Sequence, residues 1–552
     1  MRIKMELSKK SRIKLFMFLV ILNIILRFQV VQNEIGWDSF LMHIMTNSLT
    51  EYGYARWWLH PLSVFELYPA SYTSTMHFIL SGIEQTTGLE MRWVIFLYCV
   101  FIGLLSMFTS YLMAGEIFDN DLFKLLVAFG FSTSPGVLGY TTWTIPTRGL
   151  LVVLAPLLVY LILKSRKSIK YVPLAILLAL FLFATHHLFY FLIPAFFSVV
   201  ILALAVKLRK LSFIKNLSFK KKALPEKYYT LCSIKNLSSG VALPLLLSRS
   251  RPVAFLNSLI AIFGFLAMYS IPFFTGRFIE NSRYASIDMS YVRYTGLLII
   301  PAIGGLFYMI FKHKKAFGEW FLLLTLILLT TFIYEQTYMK WFLPIFLVPF
   351  AGIGLLNVIK HTKKRRLALP LAALFMVLVI CFSGYYQFIH FMSMPGSGKN
   401  PLNERYIEDS TYNTGRWMKS HIAAGNAVSN DALFGKRIFA ASETAHMLTG
   451  STVADQIYGF IRVNISKYKR YPLTDEEFWF TGYKGPDIGE SAWESVHRCL
   501  KSEEFNISYV VENKKCSGRI CWHHGNYPQF IQYTYEKDCI YDCGNIGIRK
   551  IR

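Results

Sequence analysis

Long apolar segments separated by short polar connections fill the chain from Leu15 to Phe388. Each segment has, or approaches, the roughly 20 apolar residues that a helix needs to cross a bilayer. The predicted spans are 13–31, 92–113, 122–142, 149–164, 171–186, 188–207, 253–274, 294–311, 318–335, 342–359 and 367–388. This pattern predicts an α-helical polytopic membrane domain over residues 1–394, with about eleven transmembrane helices.

The hydrophobic pattern changes after residue 394. The tail is richer in Asp, Glu, Gly and Asn and has no long apolar run. A helix is predicted over 414–421, and strands are predicted over 427–429, 508–511 and 545–550, with turn signals at 430–431 and 544–545. We expect residues 395–552 to form a small mixed α/β domain.

The connection after the first span, residues 32–91, is long and rich in aromatic residues. Segments 38–49 and 71–83 each have the residue pattern of an amphipathic helix. The Tyr and Trp residues between them are of the kind that anchors at a membrane–water boundary. This loop is therefore predicted to lie along the membrane surface as two short helices.

Basic residues indicate how these spans are oriented. Their clusters, at 2–14, 164–170, 207–251, 312–315 and 360–366, fall on alternate connections. Because cytoplasmic loops carry such a Lys/Arg excess, the N-terminus is expected in the cytoplasm, with loop 32–91 and the tail on the extracytoplasmic side of the cell membrane. In a soluble protein the formal net charge of +25 would suggest a nucleic-acid partner. Here the basic loops face anionic lipid headgroups instead, and no nucleic-acid partner is predicted.

Composition agrees with a membrane protein. The chain is 54% hydrophobic and 16% charged, whereas a soluble domain is roughly 25% charged. Five of the eight cysteines lie in the tail, where an extracytoplasmic location permits disulfides. Cys516 with Cys521, and Cys539 with Cys543, are candidate local pairs, which leaves one tail cysteine outside them.

Asp38 is the first candidate catalytic residue. It follows the first predicted span, in Asn33-Glu34-Ile35-Gly36-Trp37-Asp38-Ser39-Phe40. A carboxylate at an apolar interface is costly unless it binds something. Asp38 could accept a proton from an attacking nucleophile or, together with Glu34, hold a divalent cation such as Mg or Mn. The alternative is that Asp38 caps the helix that follows it.

Several cations lie on the predicted outer side, against the overall charge trend. Arg148, Lys340 and Arg277 are candidates for binding a lipid phosphate, because converging cations suit such a group at a membrane surface. Arg27 and Arg56 either join them or extend their charged ends to the interface. The accessory candidates are Glu280, His43, His186 and His187. For the adjacent histidines, contact with a metal or a phosphate stands against a structural hydrogen bond.

This arrangement resembles the GT-C superfamily of membrane glycosyltransferases, which includes oligosaccharyltransferase catalytic subunits and protein O-mannosyltransferases. The sequence Gly-Trp-Asp-Ser-Phe-Leu-Met-His at 36–43 is similar to the acidic motif of prokaryotic members. Tyr68-Pro69 followed by His77 is similar to their second loop helix. The sequence Tyr-Met-Lys-Trp-Phe-Leu-Pro at 338–344 is similar to the late-helix motif in which a cation, usually Arg, meets the lipid phosphate.

The resemblance implies transfer of a sugar from a polyprenyl-phosphate-linked donor to a glycan, lipid or protein acceptor on the outer face of the membrane. Asp38 would act as the base, and Arg148, Lys340 and Arg277 would neutralise the donor phosphate. The tail lacks the Trp-Trp-Asp-Tyr-Gly signature of oligosaccharyltransferases, which favours transfer of a single sugar over en bloc transfer of an oligosaccharide.

Two other classes of function fit the same sequence. One is a transporter or flippase of a lipid-linked substrate, although the two halves of the chain show no clear symmetry. The other is a non-catalytic membrane scaffold with an outer binding domain. Burial of Asp38 against backbone amides, away from any cavity, would favour the scaffold.

Overall fold

The computed structural model describes ten stretches of the chain. They are residues 7–28, 33–68, 71–222, 293–333, 338–361, 365–392, 407–429, 432–446, 508–514 and 537–550. The predicted span 253–274, Arg277, Glu280 and the candidate pair Cys516 and Cys521 lie outside them.

Helices make up almost all of the described membrane part. In chain order they are α1 (Lys9–Ile25), α2 (Trp37–Tyr52), α3 (Thr75–Thr87), α4 (Met91–Ile117), α5 (Asp121–Thr133), the single turn α6 (Pro135–Leu138), α7 (Thr147–Ser165), α8 (Tyr171–Thr185), α9 (Ile193–Lys222), α10 (Ile299–Phe311), α11 (Phe317–Ile333), α12 (Met339–His361) and α13 (Arg365–Met392). Short 3-10 segments occur at Pro61–Phe65, His187–Leu192 and Gly296–Leu298.

Five helical segments in this part of the chain are long and apolar enough to cross a membrane. They are Met91–Ile117, Thr147–Ser165, His187–Leu208, Arg293–Phe311 and Met339–Lys360. Three shorter apolar helices, Tyr171–Thr185, Phe317–Thr330 and Pro370–Tyr385, accompany them. The prediction of a helical membrane protein is therefore confirmed, and the number of eleven spans stays a prediction.

The first outer loop forms the two short helices α2 and α3. Gly53 ends α2 and Gly88 ends α3, each with a φ near 70° that glycine adopts without strain. Hydrogen bonds between the Thr50 and Ser81 hydroxyls (2.9 Å) and between Thr46 Oγ1 and His77 Nδ1 (3.3 Å) link the two helices. The second helix starts four residues later than predicted, at Thr75 rather than at residue 71.

Helix α12 is buried along most of its length within the membrane part. Its closest neighbour is α10, and the two backbones approach closely at Gly305 and Gly354. A Cβ at these positions would lie 1.9 Å from the Phe350 carbonyl oxygen and 2.1 Å from the Pro301 carbonyl oxygen, respectively. Small residues allow such close helix packing within a bilayer, where van der Waals contact drives association. The middle of α12 is thereby held closely against α10.

The described tail contains α14 (Asp409–His421), α15 (Ala432–Ala441) and a four-stranded sheet in the order β1-β2-β4-β3. The strands are β1 (Ala427–Ser429), β2 (Tyr509–Asn513), β3 (Cys539–Asp542) and β4 (Ile546–Lys550). The β1–β2 pair is parallel, and β4 runs antiparallel to both β2 and β3. The strand β3 had no predicted counterpart.

The tail packs on the first outer loop. α15 lies against α2, and Asn47 Nδ2 donates to the Phe439 carbonyl oxygen at 3.4 Å. An ion pair of 2.6 Å joins Arg416 on α14 to Glu90, which immediately precedes α4. The helix that carries Asp38 is therefore held between the membrane helices and the tail.

The candidate disulfide between Cys539 and Cys543 is wrong, since both are free thiols in the structure. Cys539 begins the extended strand β3, and Cys543 directly follows its end. At about 3.3 Å per residue, positions four apart along a strand are too distant for a disulfide.

Candidate active site

Asp38 stands in the first turn of α2. The helix begins after Gly36, whose φ of 100° lies in the region that favours glycine. Gly36 therefore holds the N-cap position that was the alternative role for Asp38. The Asp38 side chain is 60% exposed, and its carboxylate accepts a hydrogen bond from Nη2 of Arg148. A negative charge in the first turn is also favoured by the helix dipole.

Arg148 stands in the first turn of α7 and is enclosed by aromatic rings. Its guanidinium carbon lies 4.5 Å from the centroid of the Trp341 ring, 5.6 Å from Tyr140 and 5.9 Å from Tyr338. Such rings attract a cation through the negative potential of their faces. Only 17% of the Arg148 side chain is exposed. Three rings and Asp38 therefore hold the guanidinium in one orientation.

Lys340 stands in the first turn of α12 and shares an aromatic neighbour with Arg148. Its Nζ lies 5.2 Å from the centroid of Trp341 and 5.1 Å from that of Tyr294. The Trp341 ring is itself in contact with Tyr140, at a centroid distance of 5.2 Å. Two cations from distant parts of the sequence thus meet at one tryptophan.

The starts of three helices come together here. α2, α7 and α12 each carry one charged residue in the first turn, namely Asp38, Arg148 and Lys340. The first N–H groups of a helix have no partner within the helix and carry partial positive charge. The structure therefore unites three predicted site residues at a point whose backbone and side chains favour an anion.

A cleft of about 190 Å3 opens beside Asp38. The residues that line it are Ile35, Gly36, Trp37, Asp38, Ser39, Gly139, Tyr140, Thr144, Pro146 and Arg148. One wall is the start of α2, and the other is the turn between α6 and α7. A carboxylate that can accept a proton and a guanidinium that can bind an anion thus face the same small space.

Glu34 has a different environment from Asp38. It is buried, and its Oε1 lies 2.5 Å from Nδ1 of His43, which is buried as well. Burial alone would lower the pKa of His43, but the adjacent Glu34 carboxylate outweighs burial and raises that pKa above its usual value. Glu34 and His43 therefore form a buried pair inside the first outer loop.

The adjacent histidines at the start of the His187–Leu192 segment have separate partners. His186 is buried, and its Nδ1 accepts a hydrogen bond from the Leu188 N–H at 3.1 Å. His187 Nδ1 lies 2.9 Å from Oε2 of Glu66, a buried residue with a φ of 58°. The structural hydrogen bond that sequence left open is thus the observed role of His186.

The structure separates the two carboxylates that were predicted to share a divalent cation. Asp38 is paired with Arg148, and Glu34 is paired with His43. Within the described stretches, no three His, Cys, Asp or Glu side chains are grouped as metal ligands. Asp38 and Glu34 therefore do not fit a joint cation site here.

The remaining predicted cations have three different outcomes. Arg56 stacks on the Tyr52 ring, with its guanidinium carbon 4.1 Å from the ring centroid. Arg27 is completely buried and bonds to three neighbouring segments, so it neither joins Arg148 nor extends to the interface. Arg277 lies outside the part of the chain that the structure describes, as does Glu280.

The aromatic residues of the candidate site were not predicted from the sequence. Trp341, Tyr140 and Tyr338 surround Arg148, yet each lies in or beside an apolar segment and reads as a membrane residue. The signal for Trp341 and Tyr338 was the sequence Tyr-Met-Lys-Trp, which places rings on both sides of the lysine at a helix start. Nothing in the local sequence marks Tyr140.

No protein-family model and no curated protein match the chain, but solved structures do. The crystal structure of the Archaeoglobus fulgidus oligosaccharyltransferase in complex with Zn and sulfate matches with a TM-score of 0.50 and 13% identity, over 94% of this chain and 71% of that chain. AglB from the same organism, in complex with an inhibitory peptide and a dolichol-phosphate, matches with a TM-score of 0.51 and 13% identity, over 97% and 74% of the two chains. ArnT from Cupriavidus metallidurans bound to undecaprenyl phosphate matches with a TM-score of 0.44 and 11% identity, over 99% of both chains.

At identities this low, the oligosaccharyltransferase matches are a likeness of fold. They extend over nearly the whole chain, 94% and 97% of it in the two cases. The expected helical membrane architecture is thereby confirmed, whereas the number of spans and the separate tail domain stay predictions. The chain is a helical membrane protein whose fold is similar to that of the archaeal oligosaccharyltransferase structures.

Proposed function

We propose that this protein is a membrane glycosyltransferase that moves a sugar from a polyprenyl-phosphate-linked donor to an acceptor on the outer face of the membrane. The observation that carries the proposal is the meeting of Asp38, Arg148 and Lys340 at the starts of three helices. The similar AglB structure is in complex with a dolichol-phosphate, which supports a lipid phosphate as the ligand of the two cations.

The donor phosphate is the group that this site suits best. The Arg148 guanidinium offers paired N–H donors. Lys340 adds a second positive charge, since it contacts the same Trp341 ring as Arg148. Both stabilise the leaving group as negative charge develops on the phosphate oxygen in the transition state. Arg277 stays a proposed third cation, on the basis of sequence alone.

Asp38 is proposed as the base. The acceptor hydroxyl oxygen forms a bond to the anomeric carbon while the bond from that carbon to the phosphate oxygen breaks, and the electron pair leaves with the phosphate. The hydroxyl proton passes to the Asp38 carboxylate. One displacement of this kind inverts the configuration of the sugar carbon.

The ion pair between Asp38 and Arg148 gives the site an order of events. Before the donor binds, the guanidinium is occupied by the Asp38 carboxylate. An incoming phosphate competes for the same N–H donors, and its binding releases the carboxylate toward the acceptor. The base is thus freed only when the leaving group is in place.

The scaffold reading is disfavoured by the position of Asp38. A scaffold was expected to bury this residue against backbone amides, away from any cavity. Instead its side chain is 60% exposed and lines the cleft. The acceptor class and the transferred sugar remain proposals, with a single sugar favoured by the absence of the Trp-Trp-Asp-Tyr-Gly signature.

The test is a turnover assay in nanodiscs with a panel of radiolabelled polyprenyl-phosphate sugars. The variant is Asp38→Asn, which removes the base, and we expect a loss of at least about a hundredfold in rate. Asp121→Asn is the matched control, because Asp121 also stands in the first turn of a helix and pairs with an arginine, Arg12, at 2.9 Å. Equal turnover by wild type and Asp38→Asn would remove Asp38 from the mechanism.

A further inference from the structure

Arg27 is a charged residue at the end of the first membrane helix, and it is completely buried. No carboxylate in the described stretches forms an ion pair with it. Its neighbours are neutral oxygens, which compensate a guanidinium less well than an anion does. An ionisable side chain buried at such a place is retained at a cost in stability, and that cost points to a function.

The Arg27 guanidinium joins three segments of the chain. Nε donates to Thr141 Oγ1 at 3.0 Å, and Nη1 donates to Asn23 Oδ1 at 2.8 Å. Nη2 donates to the Ser132 carbonyl oxygen at 2.9 Å. One rigid group therefore ties α1 and the end of α5 to the turn that follows α6.

That turn is a wall of the candidate active site. Tyr140, next to Thr141, lines the cleft and contacts both Arg148 and Trp341. On the other side of Thr141, the Trp143 carbonyl oxygen accepts the Ile35 N–H at 2.7 Å, beside the start of α2. The hydrogen bond from Arg27 thus reaches the segment that sets the spacing between Asp38 and Arg148.

The fold makes room for this guanidinium. Gly103 on α4 faces it, and a Cβ at that position would lie 1.8 Å from Arg27 Nε and 2.0 Å from Arg27 Cδ. A neighbour that must be glycine for one side chain to fit indicates that the exact placement of that side chain matters.

We infer that Arg27 is a positioning residue of the transferase, which acts on the donor only through the turn at residues 139–146. This inference rests on the proposed function. It assigns no contact between Arg27 and the substrate. Removing the hydrogen bond from Arg27 to Thr141 loosens the cleft wall that carries Tyr140. The loosened wall weakens the binding of the donor phosphate by Arg148.

The first variant is Thr141→Val, which at nearly constant volume deletes the acceptor of the Arg27 bond together with the bond of 2.8 Å that the same hydroxyl donates to the Val137 carbonyl oxygen. We expect the KM for the lipid-linked donor to rise roughly tenfold, with kcat changed less than about twofold, since the wall affects binding more than the base. Thr325→Val is the matched control. It deletes an equally buried bond between helices, from Thr325 Oγ1 to Ser198 Oγ at 2.9 Å, that does not touch the cleft.

A second pair of variants tests the side chain itself. Gly103→Ala should displace the guanidinium and reproduce the KM effect of Thr141→Val. In an Arg27→Ala background the added methyl has space, so Gly103→Ala should then cause little further change. Additive effects of the two substitutions would contradict the inference.

Hydrogen–deuterium exchange of the segment 137–146 in the ligand-free protein separates this inference from the proposed function. We expect exchange there to be at least about fivefold faster in Thr141→Val and unchanged in Thr325→Val. If the wild type turns over no donor, the proposed function fails while the exchange still decides whether Arg27 holds the turn. Unchanged exchange in Thr141→Val, or an unchanged donor KM in an active protein, would overturn the inference.

Discussion

At the residue scale, the site depends on the shape of one arginine as well as on its charge. Arg148 is in contact with Asp38 through Nη2, and its guanidinium carbon lies over the Trp341 ring, 4.5 Å from the ring centroid. A lysine keeps the charge but has neither the fork of N–H groups nor a flat face to stack. Lys340, by contrast, contacts the Trp341 and Tyr294 rings within the described stretches, and an ammonium satisfies both contacts.

The first prediction compares these two positions. Arg148→Lys is expected to lower kcat/KM for the donor by about 10- to 100-fold, because it loses the paired phosphate contact and the stacking. Lys340→Arg is the matched reverse change and is expected to leave kcat/KM within about threefold of the wild type. Steady-state kinetics in nanodiscs measure both, and equal losses in the two variants would contradict this account of Arg148.

The second prediction concerns the buried pair of Glu34 and His43. Since Glu34 raises the pKa of His43 above its usual 6.5, the pair stabilises the fold fully below about pH 6.5 and progressively less as pH rises through the raised pKa. Glu34→Gln should lower stability at pH 6 by about 2 kcal/mol and flatten this pH dependence.

The midpoint of thermal unfolding between pH 5.5 and 8.5 provides the measurement. Glu51→Gln, at an exposed position near the end of α2, the helix that carries His43, is the control and should follow the wild-type curve. A Glu34→Gln protein with the wild-type slope would show that His43 does not titrate through this pair.

At the element scale, the position of Lys340 and Trp341 depends on how α12 packs against α10. The backbones touch at Gly305, where a Cβ would lie 1.9 Å from the Phe350 carbonyl oxygen. The preceding residue, Gly304, has no atom within 4 Å of the same hypothetical Cβ. Two adjacent glycines on one helix therefore differ only in which face they occupy.

The third prediction uses this difference. Gly305→Ala should separate the helices and destabilise the protein by about 1–3 kcal/mol, since the clash is with backbone that cannot move aside. Donor turnover should fall with it, because α12 also carries Lys340 and Trp341. Gly304→Ala should leave both the midpoint of thermal unfolding and turnover unchanged. Similar effects of the two substitutions would show that this contact does not fix α12.

Element positions were largely predictable from sequence, and for a physical reason. A helix such as α4 must be apolar along its length to lie in a bilayer, so local composition indicates where it begins and ends. The start of α3 was predicted too early because Ser71 bonds back to the Tyr68 carbonyl instead of entering the helix. The strand β3 was missed because it is short and largely exposed, with weak alternation.

At the scale of the whole molecule, the candidate site and one of the basic clusters lie at opposite ends of α7. In α7, Arg148 and Lys164 stand 16 residues apart, about 24 Å along the axis. Lys164 pairs with Glu116 at 3.0 Å at the end opposite the cleft. The basic cluster at 164–170 thus lies at the end of α7 opposite the candidate site, and the orientation of the two ends across the membrane stays a prediction.

The fourth prediction tests that orientation. In a protein without native cysteines, Asp409→Cys in the tail should react with a membrane-impermeant maleimide in intact cells. Lys10→Cys, equally exposed at the start of α1, should react only after the membrane is opened. Labelling of Lys10→Cys alone in intact cells would invert the topology and place the cleft in the cytoplasm.

The site was predictable only in part from sequence, because most of it is made by long-range contacts. Charge in an apolar setting identified three candidate residues, Asp38, Arg148 and Lys340. The shared contact of Arg148 and Lys340 with Trp341 depends on how the helices pack, which no local sequence pattern indicates. Glu34 shows the opposite case, since its proximity in sequence to Asp38 suggested a shared site that its bond to His43 prevents.

The most direct test of the central claim is a structure of the protein in nanodiscs with a bound polyprenyl-phosphate sugar. We expect the phosphate within hydrogen-bonding distance of the Arg148 guanidinium and beside the Lys340 ammonium. We also expect the Asp38 carboxylate to leave Arg148 and to turn toward the anomeric carbon. A phosphate bound elsewhere, with the pair of Asp38 and Arg148 intact, would contradict it.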